Sequence, residues 1–286
     1  MKRILVTGAG GFIASHTIEV LQAKGYEVVS NTRHTLDENY LKDVQIYYID
    51  SRDKTGMRAI IETVDGVINL AGILGTKNTS NPRDFYENNV YSALNVFDGC
   101  AEFDVPVVQI AVGNYFETNN YSNSKTAAER DCLMYARYRG MRGNVVRGLN
   151  AFGEGQKVKN TGKIIPTFIT KALNNEDLEV YGGKDNCGIM DMIYVKDLAG
   201  ILVDVLVKTD NGFNAQVYEA GTGIGIPVHE IAEKIIGLTN SESVIQSVPM
   251  REGESNRSTV IAQNPYAFNY TDFDFALAKT IMHYKK

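Results

Sequence analysis

Ile4-Leu5-Val6-Thr7-Gly8-Ala9-Gly10-Gly11-Phe12-Ile13-Ala14-Ser15-His16 reads as an apolar run, a glycine turn and the first turn of a helix. Ile4, Leu5 and Val6 suit a buried strand, and Ile13, Thr17, Val20 and Leu21 continue beyond the turn at helical spacing. A strand that turns through glycines into a helix makes an anion site. The first N–H groups of the helix have no intrahelical partner, and the positive end of its dipole faces the same point. The spacing Gly8-x-x-Gly11-x-x-Ala14 suits a dinucleotide pyrophosphate. Gly8 permits the tight turn, Gly11 lets phosphates approach the main chain, and Ala14 lets the helix lie close on the sheet. Gly10, Phe12 and Ile13 complete the expected phosphate-binding turn. Glycine turns also end strands for structural reasons, so it is the strand before and the helix after that give this one its meaning.

Outward from the turn, β-rich runs at 3–7, 27–30, 45–49, 66–69, 107–111 and 143–147 alternate with helical patterns at 14–24, 54–62, 84–103 and 122–138. That alternation predicts an α/β fold, a doubly wound parallel sheet of Rossmann type that binds ligands at the carboxyl ends of its strands. After Arg147, loops rich in Gly and Asn at 150–162, 182–188 and 221–227 separate shorter elements. Helices are expected at 164–174 and 228–237, and a strand at 189–194 leads into a helix at 195–207. The expected organisation is a dinucleotide-binding domain over 1–150, to which 189–208 returns, and a smaller C-terminal α/β substrate lobe over 151–286. The loop 221–227 reads as a structural turn rather than a second phosphate loop. The aromatic-rich end, with Tyr266, Phe268, Tyr270, Phe273 and Phe275, is expected to pack down.

The 286 residues are 44% hydrophobic and 22% charged, with a formal net charge of −5. That balance argues against nucleic acid or an anionic membrane as partner. No apolar run reaches membrane-spanning length. Cys100, Cys132 and Cys187 match no disulfide or zinc framework, and the four histidines show no metal spacing, so no metal is expected. The chain enters a strand at once, without a signal-peptide pattern, and a cytoplasmic location is expected.

Tyr121-Ser122-Asn123-Ser124-Lys125 sets a phenol and an ammonium four residues apart. On a helix starting near Ser122, both point towards one ligand. A nearby cation lowers the phenol's pKa, so that Tyr121 exchanges a proton with an alcohol or ketone near neutral pH, while Lys125 also reaches the nicotinamide ribose. With 16 tyrosines in the chain the spacing alone is uninformative. Its place after the fifth strand of a dinucleotide-binding alternation makes Tyr121 and Lys125 the catalytic candidates.

In this order the motifs resemble the extended short-chain dehydrogenase/reductase family, in its nucleotide-sugar epimerase, dehydratase and reductase branch. Thr7-Gly8-Ala9-Gly10-Gly11-Phe12-Ile13-Ala14 is similar to the family's TGxxGFIG turn. Asp50-Ser51-Arg52-Asp53 resembles its adenine-contacting segment, and Asn69-Leu70-Ala71-Gly72 the segment that passes the cofactor. Tyr86-Glu87-Asn88-Asn89-Val90 fits the helix that follows. The resemblance implies cofactor contacts from Asp50, Ser51, Leu70, Ala71, Gly72 and Asn89, beside Tyr121 and Lys125. Arg147-Gly148-Leu149-Asn150-Ala151-Phe152-Gly153 looks like the family's R-x-x-N-x-x-G. Val180-Tyr181-Gly182 and Asp191-Met192-Ile193-Tyr194-Val195 follow in family order. Asn150, Tyr181 and Arg251 are the implied substrate contacts. A homodimer through the helices 91–103 and 126–138 is the implied assembly.

Four departures matter. Ala111 or Val112 stands where the family has a Ser or Thr that orients the substrate oxygen, leaving Ser122, Ser124 or Asn114 as substitutes. Val112 and Gly113 stand where its dehydratases carry an acidic pair, which favours simple hydride chemistry. Met190 replaces an arginine common in members that bind nucleoside diphosphate sugars. Ser30-Asn31-Thr32-Arg33-His34 has no acid for a ribose 2′-hydroxyl, whereas Arg33 suits a 2′-phosphate, which favours NADP over NAD. The expected function is an NAD(P)-dependent nucleotide-sugar epimerase or 4-ketoreductase. The alternatives are a nucleotide-sugar dehydratase, or a cofactor-binding sensor or assembly protein with little catalysis.

Overall fold

The computed structural model describes residues 2–36, 41–75, 81–158, 162–250 and 258–285. In chain order the elements begin with Arg3–Thr7 (β1), Phe12–Ala23 (α1), Glu27–Asn31 (β2), Gln45–Tyr47 (β3), Lys54–Ile61 (α2) and Gly66–Asn69 (β4). Pro82–Phe85 (α3), a π-helical turn Tyr86–Tyr91, Ser92–Glu102 (α4), Val107–Val112 (β5), Asn120–Tyr138 (α5) and Gly143–Gly148 (β6) follow. Next come Asn150–Phe152 (β7), Ile164–Leu173 (α6), Leu178–Tyr181 (β8), Gly183–Asn186 (α7), Ile189–Tyr194 (β9) and Val195–Asp210 (α8). The last are Val217–Ala220 (β10), Gly225–Pro227 (β11), Val228–Thr239 (α9), Ile245–Val248 (β12), Thr259–Val260 (β13) and Phe273–Tyr284 (α10).

The six strands read from the first half all form, in one seven-stranded sheet of order β10-β6-β5-β4-β1-β2-β3. Neighbours from β1 to β6 pair in parallel. Fully buried strands such as β4 and β5 explain the continuous apolar runs, because both sheet faces are covered. On one face Leu5, Val29, Val67 and Val107 pack with Met57, Ile61, Phe97 and Cys132 of α2, α4 and α5. Towards α8, Ile4 and Leu206 close on Gly66 so tightly that a Cβ there would meet Ile4 Cδ1 at 3.1 Å. Strand order reverses between β1 and β4, the switch point at which such sheets bind ligands.

The helix expected over 84–103 is interrupted by the π-helical turn. That turn admits one extra residue, and Asn89 and Val90 within it are both buried.

By contact the chain divides into two units, Met1–Gly148 with Leu198–Tyr218, and Leu149–Asp197 with Glu219–Lys286. The returning segment is thus 198–218 rather than 189–208, because β9 is committed to the sheet of the second unit. There β9 pairs with β11 and β13 and also with β7, while β8 and β12 form a separate parallel pair. Asp191 on β9 is fully buried. Its carboxylate accepts the Thr222 N–H and hydroxyl at 2.8 Å, the Gly223 N–H at 2.8 Å and the Ala262 N–H at 3.1 Å. The loop 221–227 is therefore an anchoring turn. Within the same unit α10 buries Ala276, Leu277 and Ile281, Phe273 packs 5.3 Å from Phe152 and Tyr266 is buried, but Phe275 stays exposed, so the aromatic end packs down only in part.

Candidate active site

The candidate cofactor residues of the first unit stand at or beyond the carboxyl ends of β1, β2, β4 and β5. Gly8 leaves β1 with φ at +80°, a conformation that L side chains avoid, and a Cβ there would press on the Ala71 backbone at 3.2 Å. The N–H groups of Gly8 and Ala9 are held by the Asn31 carbonyl, and the Gly11 N–H by Gly8. No side chain caps α1 and no acid lies in its first turn, so Phe12 and Ile13 open a helix whose positive end is uncompensated. A Cβ on Gly11 would sit 3.1 Å from the Gly8 carbonyl. Gly10 stands against Leu36, and Phe12 packs edge-on against His16.

Sequence reasoning missed the buried Thr7, whose hydroxyl organises the neighbouring loop. It donates to Asn69 Oδ1 at 2.7 Å and accepts the N–H groups of Leu70 and Ala71 at 2.9 Å. Asn69 in turn donates to Gln109 at 2.6 Å, which makes a polar ladder from β1 across β4 to β5. Its signal was a polar residue in each of three apolar strands, Thr7 and Asn69 at the ends of β1 and β4 and Gln109 inside β5.

At the end of β2 the picture differs from expectation. Arg33 does not reach out alone: Nη1 donates to Asn88 Oδ1 at 2.6 Å and lies 3.9 Å from Asp50. Asp50 is gripped by Arg52 at 2.8 Å, and that hydrogen bond holds its carboxyl below the ordinary carboxylate range against a smaller opposing effect of burial. Ser51 accepts from Asn31 Nδ2 at 3.0 Å. Asn31 Oδ1 is buried with no hydrogen-bond partner among the described residues, at the strand end where such folds meet an adenosine ribose.

Asn89, from the π-helical turn, grips the loop after β4. Its Oδ1 accepts the Ile73 N–H at 2.8 Å, and its Nδ2 donates to the Ile73 carbonyl at 3.3 Å and to Ser124 Oγ at 2.9 Å. Gly72 leaves it room, since a Cβ there would lie 2.7 Å from Asn89 Oδ1. Ser124 donates onward to the Tyr121 carbonyl at 2.9 Å.

Asn119 caps α5 by accepting the Ser122 N–H, so the helix starts two residues before the expected place. Tyr121 and Lys125 lie one turn apart; the phenol is half-buried and the ammonium buried. Burial pushes Tyr121 up to about 12 and Lys125 down to about 8. The expected lowering of the phenol by its neighbour is not seen; burial alone sets the direction. No carboxylate pairs with Lys125 among the described residues. Of the proposed substitutes for the missing hydroxyl at Ala111 or Val112, Ser124 is engaged. Ser122 Oγ is buried without a partner among the described residues.

The substrate candidates lie in the second unit. Asn150 on β7 donates to the Asp191 carbonyl at 3.2 Å, and Tyr181 ends β8. Arg251 falls outside the described residues. His16 and His229 lie near Glu19 and Glu233, and no metal-ligating cluster occurs among the described residues.

The sheet order, the glycine turn into an uncapped helix and the inward Tyr–Lys pair define a dinucleotide-binding enzyme of Rossmann type. Residues 4–221 match the model of the NAD dependent epimerase/dehydratase family, and the chain belongs to that family. It is 27% identical over 297 residues to UDP-glucose 4-epimerase of Rhizobium meliloti, covering 93% of this chain and 90% of that one. It is also 27% identical to UDP-N-acetyl-alpha-D-glucosaminuronate decarboxylase of Bacillus cytotoxicus, over 88% and 84% of the two chains. The crystal structure of UDP-glucose 4-epimerase from Brucella ovis in complex with NAD superposes with a TM-score of 0.89 over 99% of this chain and 98% of that one. At 24% identity this likeness is one of fold. The expectation of NADP over NAD finds no support in such neighbours, which are NAD complexes.

Proposed function

We propose that the protein is an NAD-dependent enzyme acting on a nucleoside diphosphate sugar, as a 4-epimerase or a 4-ketoreductase. The observation that carries this reading is the inward pair Tyr121 and Lys125 at the start of α5 in a member of this family. Curated relatives named as UDP-sugar enzymes support the substrate class. The residues fit a dinucleotide: the uncapped α1 for its pyrophosphate, the orphan acceptor of Asn31 for a ribose hydroxyl, and the unpaired ammonium of Lys125 for the nicotinamide end. Arg33, committed to Asn88, speaks for NAD over NADP. When bound, the dinucleotide supplies hydride transfer.

The chain's own work is proton handling and positioning. Tyr121 Oη, which keeps its proton near neutral pH, gives that proton to a sugar oxygen when a 4-keto group is reduced; in the reverse step, oxidation of a sugar hydroxyl, it is the phenolate that takes the proton back. Lys125 keeps a positive charge beside it. Asn89 and Ser124 hold the loop after β4 to the turn that carries Tyr121. The absence of an acid at Val112 and Gly113 argues against dehydration. A homodimer and a cytoplasmic location belong to the same proposal. Tyr91 and Tyr138, 57% and 80% exposed on the two helical segments concerned, and three free cysteines support them.

The test is incubation of the purified chain with UDP-glucose or UDP-N-acetylglucosamine and NAD, with products resolved by NMR. A 4-epimer formed without net change in dinucleotide supports epimerisation; in a second incubation supplied with a 4-keto nucleotide sugar and NADH, stoichiometric NADH oxidation supports reduction. Tight dinucleotide binding with no turnover that Tyr121→Phe abolishes refutes the reading and favours a binding protein.

A further inference from the structure

Lys125 and Glu129 stand one turn apart on α5, and both are buried, each with 4% of its surface exposed. Side chains four apart on a helix are neighbours, and opposite charges withdrawn from water attract strongly. Left to themselves they would pair. They do not: both carboxylate oxygens of Glu129 instead accept from Arg147, with Nε to Oε2 at 3.0 Å and Nη2 to Oε1 at 2.6 Å. This fork is held from a second side: the guanidinium lies over the Tyr115 ring, 3.8 Å from its centre. Arg147 enters from β6, where its backbone faces Ala111 in register.

We propose that Arg147 is a positioning residue: by holding Glu129 it keeps the Lys125 ammonium free of an internal counter-ion and available to Tyr121 and to an incoming ligand. The inference rests on the reading of Tyr121 and Lys125 given above. Among the described residues, the charges on the other elements packed against α5 are paired elsewhere or exposed, Glu102 of α4 being held by Arg58. Neither β5 nor the rest of β6 carries a titratable side chain. On α4, Asp98 is bonded to Tyr135 and Lys54. Glu87 of the π-helical turn and Arg83 and Asp84 of α3 are exposed. Tyr121, one turn earlier on the same helix, is the titratable group that the proposed chemistry sets beside Lys125. Only a planar fork occupies both oxygens of Glu129 while lying flat on an aromatic ring, so a lysine at 147 does not replace it.

The test compares Arg147→Gln, Glu129→Gln and the double variant in the full chain. The first readout is the titration of the Lys125 ε-methylene by NMR of lysine-labelled protein, assigned with Lys125→Met and independent of turnover. In Arg147→Gln the freed carboxylate is expected to raise the Lys125 titration by about one pH unit or more, with turnover falling about tenfold or more. Adding Glu129→Gln is expected to return the titration to within about half a unit of the wild type and turnover to within about threefold. A titration unmoved in Arg147→Gln, or a double variant no nearer the wild type than the single, overturns the proposal. If Arg147→Gln does not fold, the double variant, which removes both charges together, still decides: a shift of Lys125 by about a unit in it is fatal. An absence of turnover in the wild type would sink the functional reading and leave the titration as the test of this one.

Discussion

Gly72→Ala probes the join between the loop after β4 and the catalytic helix. The new methyl would lie 2.7 Å from Asn89 Oδ1, closer than van der Waals contact by roughly half an ångström or more. Asn89 has nowhere to retreat, being 1% exposed and tied to Ile73 and Ser124 by three hydrogen bonds. Either the packing is strained, at about 1–3 kcal/mol, or the Ile73 N–H loses its acceptor in a dry site, at about 1–3 kcal/mol. A loss of about 2 kcal/mol is expected in urea unfolding of the full chain. The decisive arm is the same substitution in an Asn89→Ala background, where the obstructing oxygen is gone. There Gly72→Ala should cost less than about 0.5 kcal/mol, giving a coupling of about 1.5 kcal/mol. Equal costs in the two backgrounds would refute the reasoning, because the methyl would then be meeting something other than Asn89.

The remaining expectations follow from the same geometry. Burial holds Lys125 near pH 8 against an ordinary lysine value of about 10.4, so between these limits the unfolded chain binds a proton that the folded chain has released. Stability contributed at Lys125 therefore rises with pH across that window, and from pH 7 to pH 9.5 the wild type should gain about 2 kcal/mol relative to Lys125→Met. Removing the acceptor in Asp191→Ala strands donors from Thr222, Gly223 and Ala262, and a loss of about 3 kcal/mol or more in chemical denaturation is expected. Because Arg33 is already held by Asn88, calorimetry should show NAD binding at least about tenfold tighter than NADP, and Arg33→Ala should leave NAD affinity within about threefold.

What was legible in the chain was local. The glycine turn needs only a strand, a positive φ and an uncapped helix, all written within residues 4–16, and Tyr121 and Lys125 need only one turn of helix between them. What stayed hidden was set by partners distant in sequence. Asp191 looks like an ordinary acid until donors 31 and 71 residues away close on it. Glu129 and Arg147 are 18 residues apart on a helix and a strand, so neither spacing nor periodicity pairs them. The π-helical turn, which carries the Asn89 that grips the loop after β4, is a local change of winding that no 3.6-residue pattern encodes. Arg33 was misleading for the opposite reason: an arginine on a loop suggests a phosphate when its neutral neighbour Asn88 lies 55 positions on.

The electrostatic state of the pair follows from burial acting on both members at once. Desolvation opposes a phenolate at Tyr121 and an ammonium at Lys125 alike, yet with unequal effect near neutrality. A phenol held near 12 keeps its proton at pH 7, and a lysine near 8 still carries about nine-tenths of its charge there. The resting pair is therefore a neutral donor beside a cation with no anion of its own, which is the arrangement that stabilises negative charge arriving on a substrate oxygen. Were Glu129 free to neutralise Lys125, the phenol would face the same desolvation with no compensating field. Under the proposal above, the bidentate grip of Arg147 and its stacking on Tyr115 bear on proton transfer although neither touches the phenol. Substituting Ala or Val for the family's hydroxyl leaves this electrostatic pairing intact and removes only a means of orienting the substrate oxygen.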